Sequence, residues 1–425
     1  CLISVLTFFF LKKLNLNINS CFIYSISVAI LTYPTAGTPF SDHHTLILCL
    51  LSLYTFVLAL KEGNNIYWFL TPILLGFSFL SKQAPTIYLV IIITFLSIIF
   101  FIRTKNLFNF ISALLGIITF SVLFFIFLLI SNINFNDFFI QYYLYPKSLG
   151  GTRLEWLFPF EFKRIIWRFK LQYLSISILI YLFLKLLFFK KKNVFLDHLI
   201  MFSVISFCLS TIMHQLMTIN AIYIYCLIPI FCGFSHIYAK KFISKEKIIG
   251  RLLIILTLCS TVYYYFNYVQ NRTFMDLRDV NLKNSIDGGK INKGLSNIRW
   301  ITMFYPDNPE KEISNIKIAL KSLEDDKSKK MIITDYQFIS VFLKQYDFSP
   351  TRFWYDFHGY PNEKNIYFDY WKQFVLKKIR NNNIKSIYVL MPLHGESKPL
   401  ENILNNCYQR ENFSENFYKL NLNNC

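Results

Sequence analysis

Ten apolar runs, most of them close to the length of a bilayer crossing, constrain this chain more than any other feature. A helix that spans the hydrocarbon core needs about 20 mostly apolar residues. Hydrophobic residues make up 54% of the 425 residues and aromatic residues 19%, a composition that disfavours an ordinary soluble protein. We therefore predict a polytopic α-helical membrane protein with about ten spans, the first of them partial, over residues 1–11, 19–35, 45–60, 66–81, 84–102, 108–130, 171–189, 196–213, 219–238 and 250–268.

Basic residues are concentrated in every second connection between these runs. The positive-inside rule assigns such connections to the cytoplasm. The net charge of +19 therefore reflects topology in large part and does not indicate nucleic-acid binding. The opposite, outer side is then predicted to hold loop 35–44, the turn at 81–83, segment 131–170, the connection at 213–218 and the tail after residue 268.

The composition changes near residue 271, which predicts two domains. Residues 1–270 form the membrane domain, and residues 271–425 form a soluble α/β domain on the extracytoplasmic side. Helix-then-strand repetition is typical of a small layered α/β domain. The predicted elements are helices over 311–323 and about 365–380, strands over 330–334 and 386–391, and an alternating apolar piece near 417–422.

Two cysteines, Cys407 and Cys425, lie in the polar tail rather than in an apolar run. On the outer side of a membrane they would meet an oxidising compartment, where a disulfide between them is one of two open alternatives. The other is that both remain free thiols.

The polar loop before the third apolar run holds Asp42, His43 and His44. Ionisable residues at a membrane boundary are costly, so their presence predicts a functional site. An aspartate beside two histidines permits a divalent metal site with these three residues as ligands. The alternative for the histidine pair is a polar helix start that is hydrogen-bonded to neighbouring loops.

Segment 131–170 carries basic residues on the side where the positive-inside rule disfavours them. An anionic ligand would explain them, and arginine is suited to bidentate contact with phosphate. Solvated or headgroup-facing charges are the alternative. The aromatic residues of the segment fit a position at the membrane interface. The basic residues are Lys147, Arg153, Lys163, Arg164 and Arg168.

Three short motifs occur in order along the membrane domain. The first is Phe40-Ser-Asp-His-His, where an aspartate opens a span; the second is 75–85 (LGFSFLSKQAP), with Lys82 in a hairpin; the third is 223–229 (YIYCLIP). Together they resemble the GT-C class of membrane glycosyltransferases, in particular the protein-mannosyltransferase and aminoarabinose-transferase branch, similar to glycosyltransferase family 39. The resemblance covers residues 1–270 and does not include the tail.

The resemblance implies transfer of a sugar from a polyprenyl-phosphate donor to a hydroxyl of a lipid, glycan or protein acceptor at the outer face of the membrane. In the family the catalytic base lies in the first outer loop. Since residues 1–11 read as part of a second span, an N-terminal piece with that base is expected upstream of Cys1. Asp42 then matches the second acidic position, which binds a metal or orients the substrates. The donor phosphate is expected to be bound by Lys82, Lys147, Arg153, Arg164 and His214.

Two other function classes remain open. A lipid-linked glycan polymerase or ligase would share the carrier chemistry, whereas a lipid or solute transporter would use the spans differently. Transporters often show internal repeats and ionisable residues near the middle of the membrane. No repeat is visible, and the charges lie at one face. Abundant Lys, Asn, Ile and Phe favour a bacterial inner membrane as the location.

Overall fold

A computed structural model describes most of the chain. The described residues are 2–32, 40–155, 161–188, 194–218, 222–270, 277, 280–344, 346–351, 359–391, 398–404, 407–414 and 416–422. The chain divides into two compact units, Cys1–Arg272 and Thr273–Cys425. Residues 423–425 lie outside the described part, so neither of the two alternatives for Cys407 and Cys425, a disulfide or two free thiols, is tested.

The first unit has a helix at each of the ten apolar runs. In chain order these helices, α1 to α10, are Leu2–Lys13, Ile18–Leu31, Ser41–Glu62, Asn65–Ser81, Gln83–Thr104, Leu107–Ile130, Lys170–Phe188, Phe195–Met217, Leu227–Phe242 and Glu246–Tyr265. Among the described residues, six helices are long and apolar enough to cross a membrane: α3, α5, α6, α7, α8 and α10 with its extension to Tyr268. These six helices support the prediction of a helical membrane protein.

Compact turns pair neighbouring helices into hairpins. Gly63 ends α3 with a φ of 65°, a left-handed conformation that costs glycine little, and the Asn64 side chain then caps α4 by accepting from the Ile66 N–H at 2.9 Å. Asn106 caps α6 in the same way, accepting from the Asn109 N–H at 3.1 Å. The tight α3–α4 and α5–α6 connections are therefore encoded locally.

Helix α6 packs closely on α4 and also has exposed apolar residues. A Cβ atom at Gly116 would lie 2.2 Å from the carbonyl oxygen of Phe69, so only glycine permits this approach of α6 to α4. Much of the remaining surface of α6 is apolar and open, and Phe108, Leu129 and Ile130 at its two ends are each about three-quarters exposed (75%, 76% and 77%). An exposed apolar helix face of this length fits contact with lipid.

The described residues of the segment between α6 and α7 form several short helical elements. These are the helix Phe135–Phe138, the π-helical turn Phe139–Leu144, the helix Tyr145–Glu155 and a second π-helical turn, Lys163–Trp167. The helical conformation is stabilised by aromatic pairs four residues apart. Phe138 stacks on Tyr142 with a 4.9 Å centroid distance, and Phe139 stacks on Tyr143 at 5.4 Å.

The second unit is built around a four-stranded sheet. Its strands, β1 to β4, are Lys330–Thr334, Ser386–Leu390, Tyr408–Ser414 and Phe417–Leu422, in the spatial order β1-β2-β4-β3. β1 and β2 are parallel, and the other neighbours are antiparallel. The principal helices are α11 (Pro309–Asp325) and α12 (Phe368–Asn382); shorter elements are Ile339–Leu343, Lys398–Leu404 and a two-stranded ribbon of Ile286–Asp287 with Arg299–Trp300.

Both faces of this sheet are covered. Ile333 and Val389 pack on one face with Trp371 of α12, whereas Ile332 and Tyr388 pack on the other face with residues of α11. Strands buried on both faces read as continuous apolar runs. The predicted helices and the strands β1, β2 and β4 are thus confirmed, with end shifts of a few residues.

Candidate active site at Asp42, Lys82 and His214

The candidate site begins at the first turn of α3. Phe40 precedes the helix, and its backbone N–H donates to Nδ1 of His43 at 3.2 Å. Asp42 is the second residue of this helix, and the partial positive charge of a helix N-terminus favours a carboxylate. The Asp42 side chain is 15% exposed, so it is neither fully buried nor freely solvated.

Lys82 and His214 converge on one oxygen of this carboxylate. Lys82 is the single extended residue between α4 and α5, and its Nζ donates to Oδ1 of Asp42 at 2.6 Å. Nε2 of His214, in the last turn of α8, lies 3.4 Å from the same oxygen. No described residue donates a hydrogen bond to Oδ2. The structure therefore brings together three of the predicted site residues, which come from three separate parts of the sequence.

A layer of small polar side chains between α3, α4 and α5 supports this arrangement. Ser78 donates to the carbonyl oxygen of Thr45 at 3.1 Å and pairs with the Thr86 hydroxyl at 2.7 Å. Thr86 in turn donates to the carbonyl oxygen of Lys82 at 3.0 Å, and Cys49 Sγ lies 3.0 Å from the Ser78 hydroxyl. These buried contacts fix the Lys82 turn against α3.

Sequence reasoning missed this polar layer. The available signal was its spacing, because Ser78 and Thr86 lie four residues before and four residues after Lys82. Each of the two residues lies about one helical turn from the Lys82 turn, one in α4 and the other in α5. Isolated serine and threonine residues are common in apolar helices, so the spacing had no meaning until the hairpin was known.

The two adjacent histidines do not share Asp42's surroundings. His43 is buried, its Nδ1 accepts the Phe40 N–H, and its ring packs edge-on against Tyr223 at 5.0 Å. His44 is exposed. In this arrangement the predicted metal ligands Asp42, His43 and His44 do not fit a common metal ion, and within the described chain no group of three or more His, Cys, Asp or Glu side chains could hold one. Metal binding stays a prediction, and no chemical step is derived from it.

Three basic residues of segment 131–170 were predicted to bind the donor phosphate, and their surroundings differ. Arg164 is half-buried and donates from Nη2 to the carbonyl oxygen of Leu216 at 3.2 Å, two residues beyond His214. Lys147 is exposed on the helix Tyr145–Glu155 and forms no ion pair with a described residue. Arg153 lies in the same helix, but its side chain is outside the described part. Arg164 is thus the one placed beside the site by a described contact.

The aromatic part of this segment is docked on the Lys82 turn. The Gln83 side-chain amide donates to the carbonyl oxygen of Tyr142, and the Tyr142 hydroxyl donates to the carbonyl oxygen of Phe79. The Phe79 and Tyr142 rings are also in edge contact, with centroids 6.1 Å apart. The segment therefore places aromatic side chains next to the charged cluster. This combination suits a ligand with both a charged and an apolar part.

The sequence matches no known family model and no curated protein.

Proposed function

We propose that this protein transfers a sugar from a polyprenyl-phosphate donor to an acceptor hydroxyl at the outer face of a membrane. The observation that carries the proposal is the contact of Lys82 and His214 with one oxygen of Asp42, at one end of helices α3 and α8. Two groups that can bind phosphate are thereby held at a single point of the membrane unit. The resemblance to GT-C glycosyltransferases supports the same reading.

The reaction requires stabilisation of a leaving phosphate. The acceptor hydroxyl oxygen forms a bond to the anomeric carbon, the bond from that carbon to the phosphate oxygen breaks, and the electron pair leaves with the polyprenyl phosphate. Preorganised cations near the departing oxygen stabilise this developing charge. We assign this role to Lys82, with His214 and Arg164 beside it.

Asp42 has a positioning role in this scheme. Its Oδ1 holds the Lys82 ammonium and the His214 ring in place before the donor arrives. Its Oδ2 accepts no hydrogen bond from a described residue and is therefore available to the acceptor hydroxyl. The proton acceptor that the resemblance implies is a carboxylate of a preceding loop.

The apolar surroundings suit the lipid part of the donor. Tyr142 and Phe79 line the approach to the Lys82 turn, and α6 presents an open apolar face. We propose that the polyprenyl chain lies along this surface while its phosphate reaches the charged cluster. We propose a bacterial inner membrane as the location, with the C-terminal unit on the extracytoplasmic side that the positive-inside rule predicts.

The distribution of ionisable residues favours transfer over transport. In α3, α5 and α8, ionisable groups lie within a few residues of the helix ends; the interior stretches 45–60, 84–102 and 199–213 contain no Asp, Glu, Lys, Arg or His. A transporter that moves a charged solute generally needs such groups near the middle of the membrane. In these three helices the ionisable groups lie near the membrane surfaces instead.

The test is turnover in membranes from cells expressing the full reading frame. Radiolabelled polyprenyl-phosphate hexoses and pentoses are supplied, and release of the sugar from the carrier is followed. We expect one of these donors to be consumed by the wild type and by the control variant Lys12→Gln, whose exposed lysine lies at the other end of the helices, but not by Asp42→Asn. Equal turnover in Asp42→Asn at matched protein levels would remove this cluster from the reaction.

A further inference from the structure

A second charged site lies at the opposite end of the same helices. A cavity of about 450 Å³ opens between the end of α1, the end of α3, the start of α8 and the end of α9. Lys61, Lys240, Lys241 and Asp197 line it. None of these residues has a part in the proposed transfer, and the site does not depend on that proposal.

The lysines of this cavity are held in place by specific partners. Lys61 Nζ donates to the carbonyl oxygen of Lys13 at 2.8 Å, and Lys240 Nζ donates to that of Asn15 at 3.0 Å. An ammonium has three N–H donors, so each of these two retains donors for a ligand. Backbone carbonyls cancel no charge, which leaves both lysines as fixed positive groups.

Lys241 is different, because its charge is balanced within the site. Its Nζ donates to both carboxylate oxygens of the buried Asp197, at 2.7 and 2.8 Å. The cavity lining therefore has three positive charges and one negative charge. This net excess of positive charge favours an anionic phosphate group.

The remaining lining is apolar. Leu14, Ile200 and Tyr238 are buried side chains of this wall, and Leu196 at its edge is 37% exposed. A soluble anion would need only the lysines. A ligand with a phosphate head and an adjoining hydrocarbon part would use both the charged and the apolar portions of the lining.

We infer that this cavity binds the phosphate headgroup of an anionic membrane phospholipid on the face opposite Asp42. Asp42 and Lys61 are nineteen residues apart on α3, which is about 28 Å along a helix. That length is close to the ~30 Å thickness of the hydrocarbon core, so the two sites lie at the two membrane surfaces. Basic pockets between helices on the cytoplasmic side are suited to such headgroups.

The test is lipid binding by the purified full chain in a neutral detergent. Phosphatidylglycerol is titrated, with phosphatidylcholine and inorganic phosphate as separate arms, and the change in melting temperature gives the apparent affinity. We expect phosphatidylglycerol to bind the wild type, and Lys61→Gln/Lys240→Gln to bind it at least about tenfold more weakly, since two charge-assisted hydrogen bonds are lost. The single variant Lys240→Gln is a second test of lipid binding. Lys240 is exposed and bonds only to a backbone carbonyl, so this substitution preserves the packing.

The matched control is Lys245→Gln/Lys247→Gln, which removes the same charge from the same end of the helices but outside the cavity. This control is expected to bind phosphatidylglycerol as the wild type does. Equal weakening in the control and in the cavity variants would show a general surface-charge effect and overturn the inference. Binding of inorganic phosphate as strong as that of phosphatidylglycerol would assign the site to a soluble phosphate and overturn the lipid assignment.

Discussion

Lys82 Nζ lies 2.6 Å from Asp42 Oδ1, although the two residues are 40 positions apart in the sequence. The contact joins the start of α3 to the turn between α4 and α5. It pairs the Lys82 ammonium with a carboxylate that the helix N-terminus already favours. The second carboxylate oxygen of Asp42 accepts no hydrogen bond from a described residue. The proposed chemistry depends on this pairing, which a substitution at either position should disturb.

Loss of the Lys82 charge should reduce catalysis more than folding. Lys82→Gln is expected to lower the transfer rate by about a hundredfold or more, the size expected for loss of one group that stabilises a developing charge. Lys82→Arg keeps the charge and should retain more activity than Lys82→Gln. Initial rates at matched membrane protein levels measure both variants. Equal rates in Lys82→Gln and the wild type would exclude Lys82 from phosphate stabilisation.

The polar layer below the site should control the position of Lys82. Thr86→Val removes the hydrogen bond to the Lys82 carbonyl oxygen and leaves the Ser78 hydroxyl with one partner fewer. We expect a loss of stability of about 1–3 kcal/mol and a lower transfer rate. Thr104→Val is the control, because Thr104 shares with Thr86 the hydrogen bond to the carbonyl four residues before it but lies at the other end of α5, away from the polar layer. A rate loss of equal size in both variants would contradict a positioning role.

The two charged ends of the membrane unit should be labelled from opposite sides. Lys147→Cys lies beside the proposed active face, and Lys247→Cys lies at the far end of the helices. In intact cells a membrane-impermeant maleimide is expected to label Lys147→Cys and not Lys247→Cys, because positive connections face the cytoplasm. The reverse pattern would overturn the sidedness of the proposed reaction. Labelling of both positions after permeabilisation confirms that each cysteine is reactive.

Stability of the C-terminal unit should fall in acid because of Asp326. Its carboxylate accepts from Tyr388 at 2.8 Å and from the Ser328 hydroxyl at 2.6 Å, and it lies 3.2 Å from Lys419 Nζ. Burial opposes ionisation, but the hydrogen bonds from Ser328, Tyr388 and Lys419 outweigh it and hold the pKa of Asp326 below its ordinary value. The folded form is therefore stabilised above pH ~3.9, the unfolded pKa, and this stabilisation is lost as the pH falls through the lower folded pKa.

Amide hydrogen exchange of β1 and β2 in the full chain measures this effect. Asp326→Asn should exchange faster than the wild type at neutral pH, and the difference should shrink as the pH falls below ~3.9. Asp325→Asn alters the adjacent exposed carboxylate and should leave exchange unchanged. A difference between Asp326→Asn and the wild type that is constant across this pH range would exclude the ionised carboxylate as its source.

The sequence predicted the elements of this fold better than their contacts. The strands Lys330–Thr334 and Phe417–Leu422 were recognisable because burial selects apolar side chains at defined positions. Strand Tyr408–Ser414 was missed since its middle residues are exposed and polar at the edge of the sheet. Asp42 and His214 could be assigned to one side of the membrane by counting helices. Their approach across 172 residues depends on helix packing, which no local pattern encodes.

The most direct measurement is the position at which the carrier phosphate binds. A photoreactive polyprenyl phosphate, crosslinked to the protein in its membrane and mapped by mass spectrometry, should label the turn at Lys82 and the segment around Arg164. Excess unlabelled polyprenyl phosphate should suppress this labelling, and Lys82→Gln should reduce it, while Lys12→Gln should not. Labelling that is confined to the opposite end of the helices, or that is unchanged in Lys82→Gln, would contradict the proposed site.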